Sequence, residues 1–279
     1  KYFYDEAGCR LFESICAQPE YALCRTEQAL MAARLPDIAA SVGEVACIIE
    51  PGAGDCAKVR LLLDALRPSR LVVIDIAGAP LAAAAQAVAR DYPELDVAAL
   101  AMDFLRDLEA VEPWLPASGR LVYYPGSSIG NYPPVAATAL LARFRRLAGA
   151  DGRLLIGFDL KKDPLRLHAA YNDDAGVTAA FNLNLLTRLN RELDADFDPD
   201  RFRHYAFYNP VAGRIEMHLV SVAEQQVRVA GERFHFALGE TLHTEHSYKF
   251  RRDELASLPG NPACLPAGEW QHDGFAVQL

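Results

Sequence analysis

Residues 45–55 read VACIIEPGAGD, and this stretch decides the fold. Val45 to Glu50 forms an apolar run without the polar alternation of a half-exposed strand, which suits a strand covered on both faces. It leads directly into Pro51-Gly52-Ala53-Gly54, where two glycines let the backbone come close to a ligand. Working outward, AKVRLLLDALR (57–67) predicts an amphipathic helix and LVVID (71–75) a second buried strand. AGAPLAAAAQAVARDY (77–92) predicts another helix. VAALAMDF (97–104), RLVYYPG (120–126) and RLLIGFDL (153–160) predict three more strands, and RTEQALMAARLPDIAASV (25–42) a helix ahead of them all. Strands spaced by helices imply βαβ units and a parallel sheet.

The pattern changes after Leu160. LRLHAAYNDDAGVTAAFNLNLLTRLNREL (165–193) reads as one long, Asn-rich helical stretch. HYAFYN (204–209), GRIEMHLVSVAE (213–224) and QQVRVAGERFHFAL (225–238) alternate apolar and polar residues, as antiparallel strands do. GFAVQL (274–279) is expected to rejoin the main sheet. The expected organisation is a doubly wound α/β sheet over 30–160 and 250–279, carrying an α+β insertion formed by 1–29 and 161–249.

Composition narrows the function. The net charge is −9, and no basic stripe with interleaved aromatics is present, so a nucleic-acid partner is not expected. No apolar run approaches the roughly 20 residues of a membrane span. The opening KYFYDEAGCR is charged and aromatic rather than signal-like. Cysteines 9, 16, 24, 47, 56 and 264 form no CxxC pair and read as reduced thiols, so a cytoplasmic location is expected. There is no HExxH; His243 and His246 stand three apart with no third ligand evident in the sequence, and no metal is expected. Oligomeric state is left open.

Three strand ends make a constellation. The first carries the glycine pair. The second ends in Asp75, 21 residues after Gly54, where a carboxylate can accept both ribose hydroxyls. The third leads into Asp103-Phe104, an acid for an adenine amino group and an aromatic for the ring face. Each has a plainer alternative: a glycine pair also makes an ordinary turn, and an Asp at a strand end also caps a helix. In order, the three suit an adenosine ligand without phosphate, and S-adenosylmethionine is such a ligand. The loop lacks the third glycine of GxGxxG, which weakens a dinucleotide or NAD-dehydrogenase reading.

Longer motifs then carry a resemblance. KYFYDEAG, LFESICAQPEY, CRTE, PGSSIGNYPP, DLKKDP, AAYNDDAGVTAAFN, LNRELDADFD, RIEMHL and TEHSYKF occur in an order that resembles the histidine Nα-methyltransferase family of ergothioneine biosynthesis, from residue 1 to about 252. The resemblance implies a Rossmann-like class I methyltransferase core with an inserted α+β substrate-binding domain. It implies methyl transfer from S-adenosylmethionine to the α-amino nitrogen of L-histidine, giving trimethylhistidine (hercynine) and S-adenosylhomocysteine. It places Gly52, Lys58, Asp75, Asp103, Phe104 and Gly126 at cofactor positions. It places Tyr21, Asn131 and Tyr171 at the amino and carboxylate end of the substrate, and Met217, Glu245 and Ser247 at its imidazole. Tyr4 falls beside the methyl-accepting amine as the catalytic candidate. The family carries more residues ahead of KYFYD, which sets the expectation of a trimmed or short chain. The chain departs from the family at the EPGAGD loop, at His246 and in LPGNPACLPAGEWQHD (258–273).

The chemistry needs no nucleophilic side chain and no metal. It needs a neutral amine held about 3 Å from the methyl carbon, in line with the departing sulfur. Tyr4, Tyr21 and Phe181 are candidates for aromatic walls around a substrate that ends as a fixed cation. Glu245 can accept an imidazole N–H, and Ser247 can serve the other ring nitrogen as donor or acceptor. Alternatives are a methyltransferase for another amino acid or a thiol-modified histidine, and a non-catalytic cofactor-binding partner domain. The cofactor and substrate sets are expected to meet in a cleft between the two regions.

Overall fold

The computed structural model describes residues 2–255 and 266–279; Cys264 and much of the unusual C-terminal stretch lie outside them. In chain order, α1 (Glu6–Ala17) and α2 (Leu23–Val42) precede β1 (Cys47–Pro51), α3 (Arg60–Leu66), β2 (Arg70–Asp75), α4 (Gly78–Asp91) and β3 (Asp96–Ala101). Then come α5 (Phe104–Asp107), β4 (Arg120–Tyr124), α6 (Pro134–Ala148), β5 (Arg153–Asp159), α7 (Pro164–Ala169) and α8 (Val177–Glu192). The remainder is β6 (Phe202–Asn209), β7 (Arg214–Ser221), β8 (Gln225–Val229), β9 (Glu232–Phe236), β10 (Thr241–Tyr248), α9 (Arg252–Leu255), β11 (Glu269–His272) and β12 (Phe275–Gln278). The chain divides into two units, Lys1–Ala22 with Lys162–Lys249, and Leu23–Lys161 with Phe250–Leu279.

The second unit holds a seven-stranded sheet in the order β3-β2-β1-β4-β5-β12-β11. β1 through β5 pair in parallel, while β12 runs antiparallel to β5 and β11 antiparallel to β12. Ile48, Ile49, Val72, Val73, Leu121 and Val122 are fully buried, as strands covered on both faces require. The order turns between β1 and β4, so the loop after β1 lies where open α/β sheets bind ligands. GFAVQL supplies β12 and rejoins the sheet as expected. This is the Rossmann-like α/β core that the sequence predicts, with the α+β segment inserted between β5 and β11. No described helix is long and apolar enough to cross a membrane.

The first unit holds the antiparallel sheet β10-β7-β6, the hairpin β8–β9, and the helices α1, α7 and α8. Its core gathers Leu186 of α8 with Phe197, Phe202, Leu219, Val227 and Phe236. The three phenylalanines pack edge-to-face with centroids 5.5–6.3 Å apart. Each such pair contributes about 0.5–1.5 kcal/mol beyond area burial. Asp5 fixes the entry to α1: its Oδ1 accepts from Gly8 N at 2.8 Å and from Asn184 Nδ2 at 2.9 Å, and its Oδ2 from Arg191 at 2.7 Å.

One expectation needs correction. The stretch 165–193 is two helices, not one. Asp173 accepts from the backbone N–H groups of Val177 and Thr178 at 2.7 and 2.8 Å. A side chain that satisfies the first donors of α8 starts a new helix there, and helical periodicity carries no sign of this. The break leaves Tyr171 and Asn172 outside both helices.

Candidate active site

The residues predicted to hold the cofactor collect at the carboxyl edge of the parallel sheet in the second unit. Gly52 sits at φ +72° and its N–H donates to Ile74 O at 2.7 Å. A Cβ there would meet the Phe104 ring at 3.8 Å, an ordinary contact, so it is the positive φ that calls for glycine. Asp75, ending β2, accepts from Gly54 N at 3.0 Å on one oxygen and from Ala77 N at 2.9 Å on the other. Both oxygens are thereby oriented, and each retains acceptor capacity. Asp103 caps α5 through Leu105 N at 3.1 Å, and Phe104 meets Tyr124 edge-on at 6.2 Å. α3 begins only at Arg60, so no helix N-terminus directly follows Gly54, where a pyrophosphate-binding turn would place one. An acidic hydroxyl-binding group, a glycine loop and a ring face fit S-adenosylmethionine better than a dinucleotide.

Lys58 and Gly126 are joined by a residue that carried no assigned role in the sequence. Glu27, on α2 and 2% exposed, accepts from Lys58 Nζ on Oε2 and from Gly126 N on Oε1, both at 2.7 Å. Burial disfavours the Lys58 ammonium, but the Glu27 carboxylate outweighs it and holds Lys58 above its ordinary range. A Cβ on Gly126 would come within 2.8 Å of Lys58 Nζ. Glu50, at the end of β1, is 1% exposed, and burial pushes its carboxyl well up despite the nearby Lys58. Its Oε2 is buried without a hydrogen-bond partner. Asn131 also belongs to this unit, exposed at the end of a helical turn after β4, whereas the other predicted substrate residues belong to the first.

Those other substrate residues collect in the first unit. Tyr4 packs edge-on against Phe12 at 5.7 Å and Phe181 at 5.9 Å, while Phe181 stacks on Phe3 at 4.8 Å. Tyr21 bridges Phe12, at 6.4 Å, and Tyr171, at 5.9 Å. Met217 on β7 is directly opposite Glu245 on β10. A bulge between His243 and Glu245 shifts the register there, and Thr244 Oγ1 donates to Met217 O and to Asn182 Oδ1. Bulges of this kind re-aim the side chains beside them.

Behind these residues stands Lys249, 2% exposed and unassigned in the sequence. Its Nζ donates to Ser247 Oγ at 2.9 Å and to Tyr171 OH at 3.1 Å. It lies 5.1 Å from the Tyr171 ring centroid. Burial raises the Glu245 carboxyl to about 7, with Lys249 opposing the rise. Burial, then the charges of Glu245 and Tyr171, push the Tyr4 hydroxyl well above 10, so Tyr4 is a neutral hydroxyl at physiological pH. Further out, Asn182 donates to His204 Nδ1 at 3.0 Å, which leaves His204 Nε2–H to donate to Tyr171 O at 2.8 Å.

On the opposite face of the same sheet, Glu216, His218 and His243 bring potential ligand atoms within 4.8 Å of one another. The sequence concealed this grouping because its members meet across strands. The His218 and His243 rings stack at 4.6 Å and 15°, so their in-plane lone pairs lie in offset planes instead of converging. Glu216 Oε1 is already held by Arg214 and Asn209. The arrangement is a stacked polar ladder.

Known proteins are similar to this chain. The description "Histidine-specific methyltransferase, SAM-dependent" matches residues 1–279. Histidine N-alpha-methyltransferase of Mycolicibacterium smegmatis is 40% identical over 264 residues, covering 92% of this chain and 81% of the relative. The enzyme of the same name from Mycobacterium tuberculosis is 40% identical over 258 residues, covering 90% and 79%. Ergothioneine biosynthesis protein 1 of Neurospora crassa is 27% identical over 96% of this chain, but only 31% of that longer protein. Among solved structures, the PH0226 protein of Pyrococcus horikoshii superposes with a TM-score of 0.51 over 90% of this chain and 89% of its own, at 10% identity, a likeness of fold. With the family description matched over residues 1–279 and the expected motifs gathered at a sheet edge and on an inserted sheet, the chain belongs to the histidine-specific, S-adenosylmethionine-dependent methyltransferases.

Proposed function

We propose that the chain transfers methyl groups from S-adenosylmethionine to the α-amino nitrogen of L-histidine, three in succession, to give the trimethylhistidine of ergothioneine biosynthesis. The observation that carries this reading is the polar set Glu245, Ser247, Lys249 and Tyr171, adjoining Met217 and the Tyr4 aromatic cluster. A half-buried carboxylate and a buried hydroxyl facing the side chain reject apolar groups, which would leave both unpaired. The two mycobacterial relatives bear the name of this activity, and the Neurospora relative that of the pathway.

Each residue then has a task. Asp75 would hold the ribose, Asp103 and Phe104 the adenine, and the glycines at 52 and 54 would let the backbone come close to the cofactor. Lys58 and Gly126, fixed by Glu27, line the rest of the cofactor's place. When bound, the cofactor supplies an electrophilic methyl group on a sulfonium. Tyr21 and Tyr171 hold the α-amino and α-carboxylate groups, and Glu245 and Ser247 hold the imidazole. Tyr4 stays protonated, so in the first two transfers its oxygen accepts a hydrogen bond from the amine and aims the lone pair; the dimethylated amine has no N–H, and the surrounding rings hold it for the third. Proton loss goes to water, because a phenolate is out of reach near neutral pH. Phe181 and the tyrosines provide ring faces for the growing cation. Displacement at a methyl carbon needs no Lewis acid, so no metal enters this reading.

The test is calorimetric titration of L-histidine into protein saturated with S-adenosylhomocysteine, with Glu245→Ala alongside. Saturable binding that the variant loses supports the reading. Intact cofactor-product binding with no histidine binding overturns histidine as the substrate.

A further inference from the structure

Lys249 does more than fill space. An ammonium has three donors and no lone pair, so toward Ser247 Oγ and Tyr171 OH it can only donate. Both hydroxyl oxygens therefore spend acceptor capacity on Lys249. The adjacent positive charge weakens each as an acceptor for a second N–H and strengthens its O–H as a donor. The same charge favours the ionised, acceptor-only form of Glu245, against the burial that opposes it. The Tyr4 hydroxyl, on which the Glu245 charge acts, stays neutral and adds no competing charge.

We propose that Lys249 is a positioning residue that sets the polarity of the imidazole pocket, Ser247 as donor and Glu245 as acceptor, so that the pocket selects the neutral imidazole of histidine. This rests on the assignment of Glu245 and Ser247 to the substrate ring. A neutral imidazole offers one N–H and one lone pair, complementary to an acceptor and a donor. An imidazolium offers two N–H groups, one of which would face the Ser247 hydroxyl next to the Lys249 charge. Lys249 also leaves the Tyr171 O–H to be donated, as a carboxylate partner should be. It touches none of the reacting atoms and acts through Ser247, Tyr171 and Glu245.

The experiment measures histidine binding as a function of pH, with S-adenosylhomocysteine present, for wild type, Lys249→Met and Lys249→Arg. Lys249→Met is expected to weaken histidine binding by about 10- to 100-fold, the scale of lost charge-assisted hydrogen bonds. Its affinity for S-adenosylhomocysteine should hold, and its acid-side loss of histidine binding should move to higher pH. Lys249→Arg, which keeps a charged donor, should recover part of the loss. A structural filler would give neither the pH shift nor the rescue. Unchanged histidine binding in Lys249→Met overturns the proposal.

A second measurement uses wild type alone, so a variant that fails to fold decides nothing by itself. 1,2,4-Triazol-3-ylalanine keeps a ring N–H and a lone pair but resists protonation where histidine becomes cationic. At about pH 6, where much free histidine is imidazolium, the triazole is expected to bind at least as tightly as histidine. Binding tenfold or more weaker than histidine would mean that the pocket takes the cation, and would overturn the proposal. Wild type that binds S-adenosylhomocysteine but no histidine would instead fail the substrate assignment, and the proposal with it.

Discussion

Glu27 and Lys58 form an ion pair at 2.7 Å in which the carboxylate side chain is 3% exposed and the ammonium side chain 36%. The pair is asymmetric: the carboxylate is buried with its two partners, whereas the lysine side chain is partly exposed along its length. The second Glu27 oxygen holds the Gly126 backbone, so one side chain ties the segment after β1 to the loop after β4.

Glu27→Ala is therefore expected to weaken cofactor binding by about 10- to 100-fold and to lower stability by roughly 1–3 kcal/mol, the scale for an N–H and a charge left without partners. Glu27→Gln, which keeps an acceptor for Gly126, should fall between. Calorimetry with S-adenosylhomocysteine and thermal unfolding check both. Unaltered cofactor affinity in Glu27→Ala would remove Glu27 from the cofactor half.

Glu245 links function to a stability cost. Burial raises its carboxyl in the folded state to about 7, above the ordinary 4.5. Between these values the folded protein binds more protons than the unfolded one, so this group's contribution falls as pH rises and is fully unfavourable above about pH 7. Glu245→Gln should thus be more stable than wild type above pH 7, on the order of 2–3 kcal/mol, and equal to it at acid pH. It should also lose histidine turnover. Denaturant titrations at both ends of the range check the sign, and a variant less stable than wild type above pH 7 would contradict it.

Tyr4→Phe removes a hydroxyl but keeps the ring between Phe12 and Phe181. Expected is a fall in kcat of about 10- to 100-fold with little change in histidine KM, since the lost contact orients the amine in the reacting complex. The pH–rate profile should keep its shape below pH 10, because the Tyr4 hydroxyl does not titrate there. Loss of a titration near neutral pH in the variant would show that Tyr4 acts as a base after all.

Met217 is 2% exposed and sits opposite Glu245. Met217→Ala is expected to cost about 2–5 kcal/mol of stability, as buried Met truncations do. It should also raise the histidine KM and admit larger aromatic amino acids. Steady-state kinetics across an amino-acid panel, alongside unfolding curves, separates the two effects.

The core was legible because strands covered on both faces read as unbroken apolar runs, and VACIIE, LVVID and RLLIGFDL all take their expected places in the parallel sheet. The break between α7 and α8 was not, because it depends on Asp173 capping donors four and five residues ahead within an otherwise periodic stretch. Roles for Glu27 and Lys249 were hidden although CRTE and TEHSYKF contain them. Their partners lie far off in the chain: Lys58 is 31 and Gly126 is 99 residues from Glu27, and Tyr171 is 78 from Lys249. A charged residue destined for burial looks like any surface charge until the fold supplies its counterpart.

The most direct measurement incubates the protein with S-adenosylmethionine and L-histidine and identifies the product by mass spectrometry and NMR. Expected is trimethylhistidine with every new methyl on the α-nitrogen, accompanied by S-adenosylhomocysteine. Methylation of a ring nitrogen, or no methylated histidine from protein that binds S-adenosylhomocysteine, would contradict histidine α-N-methylation.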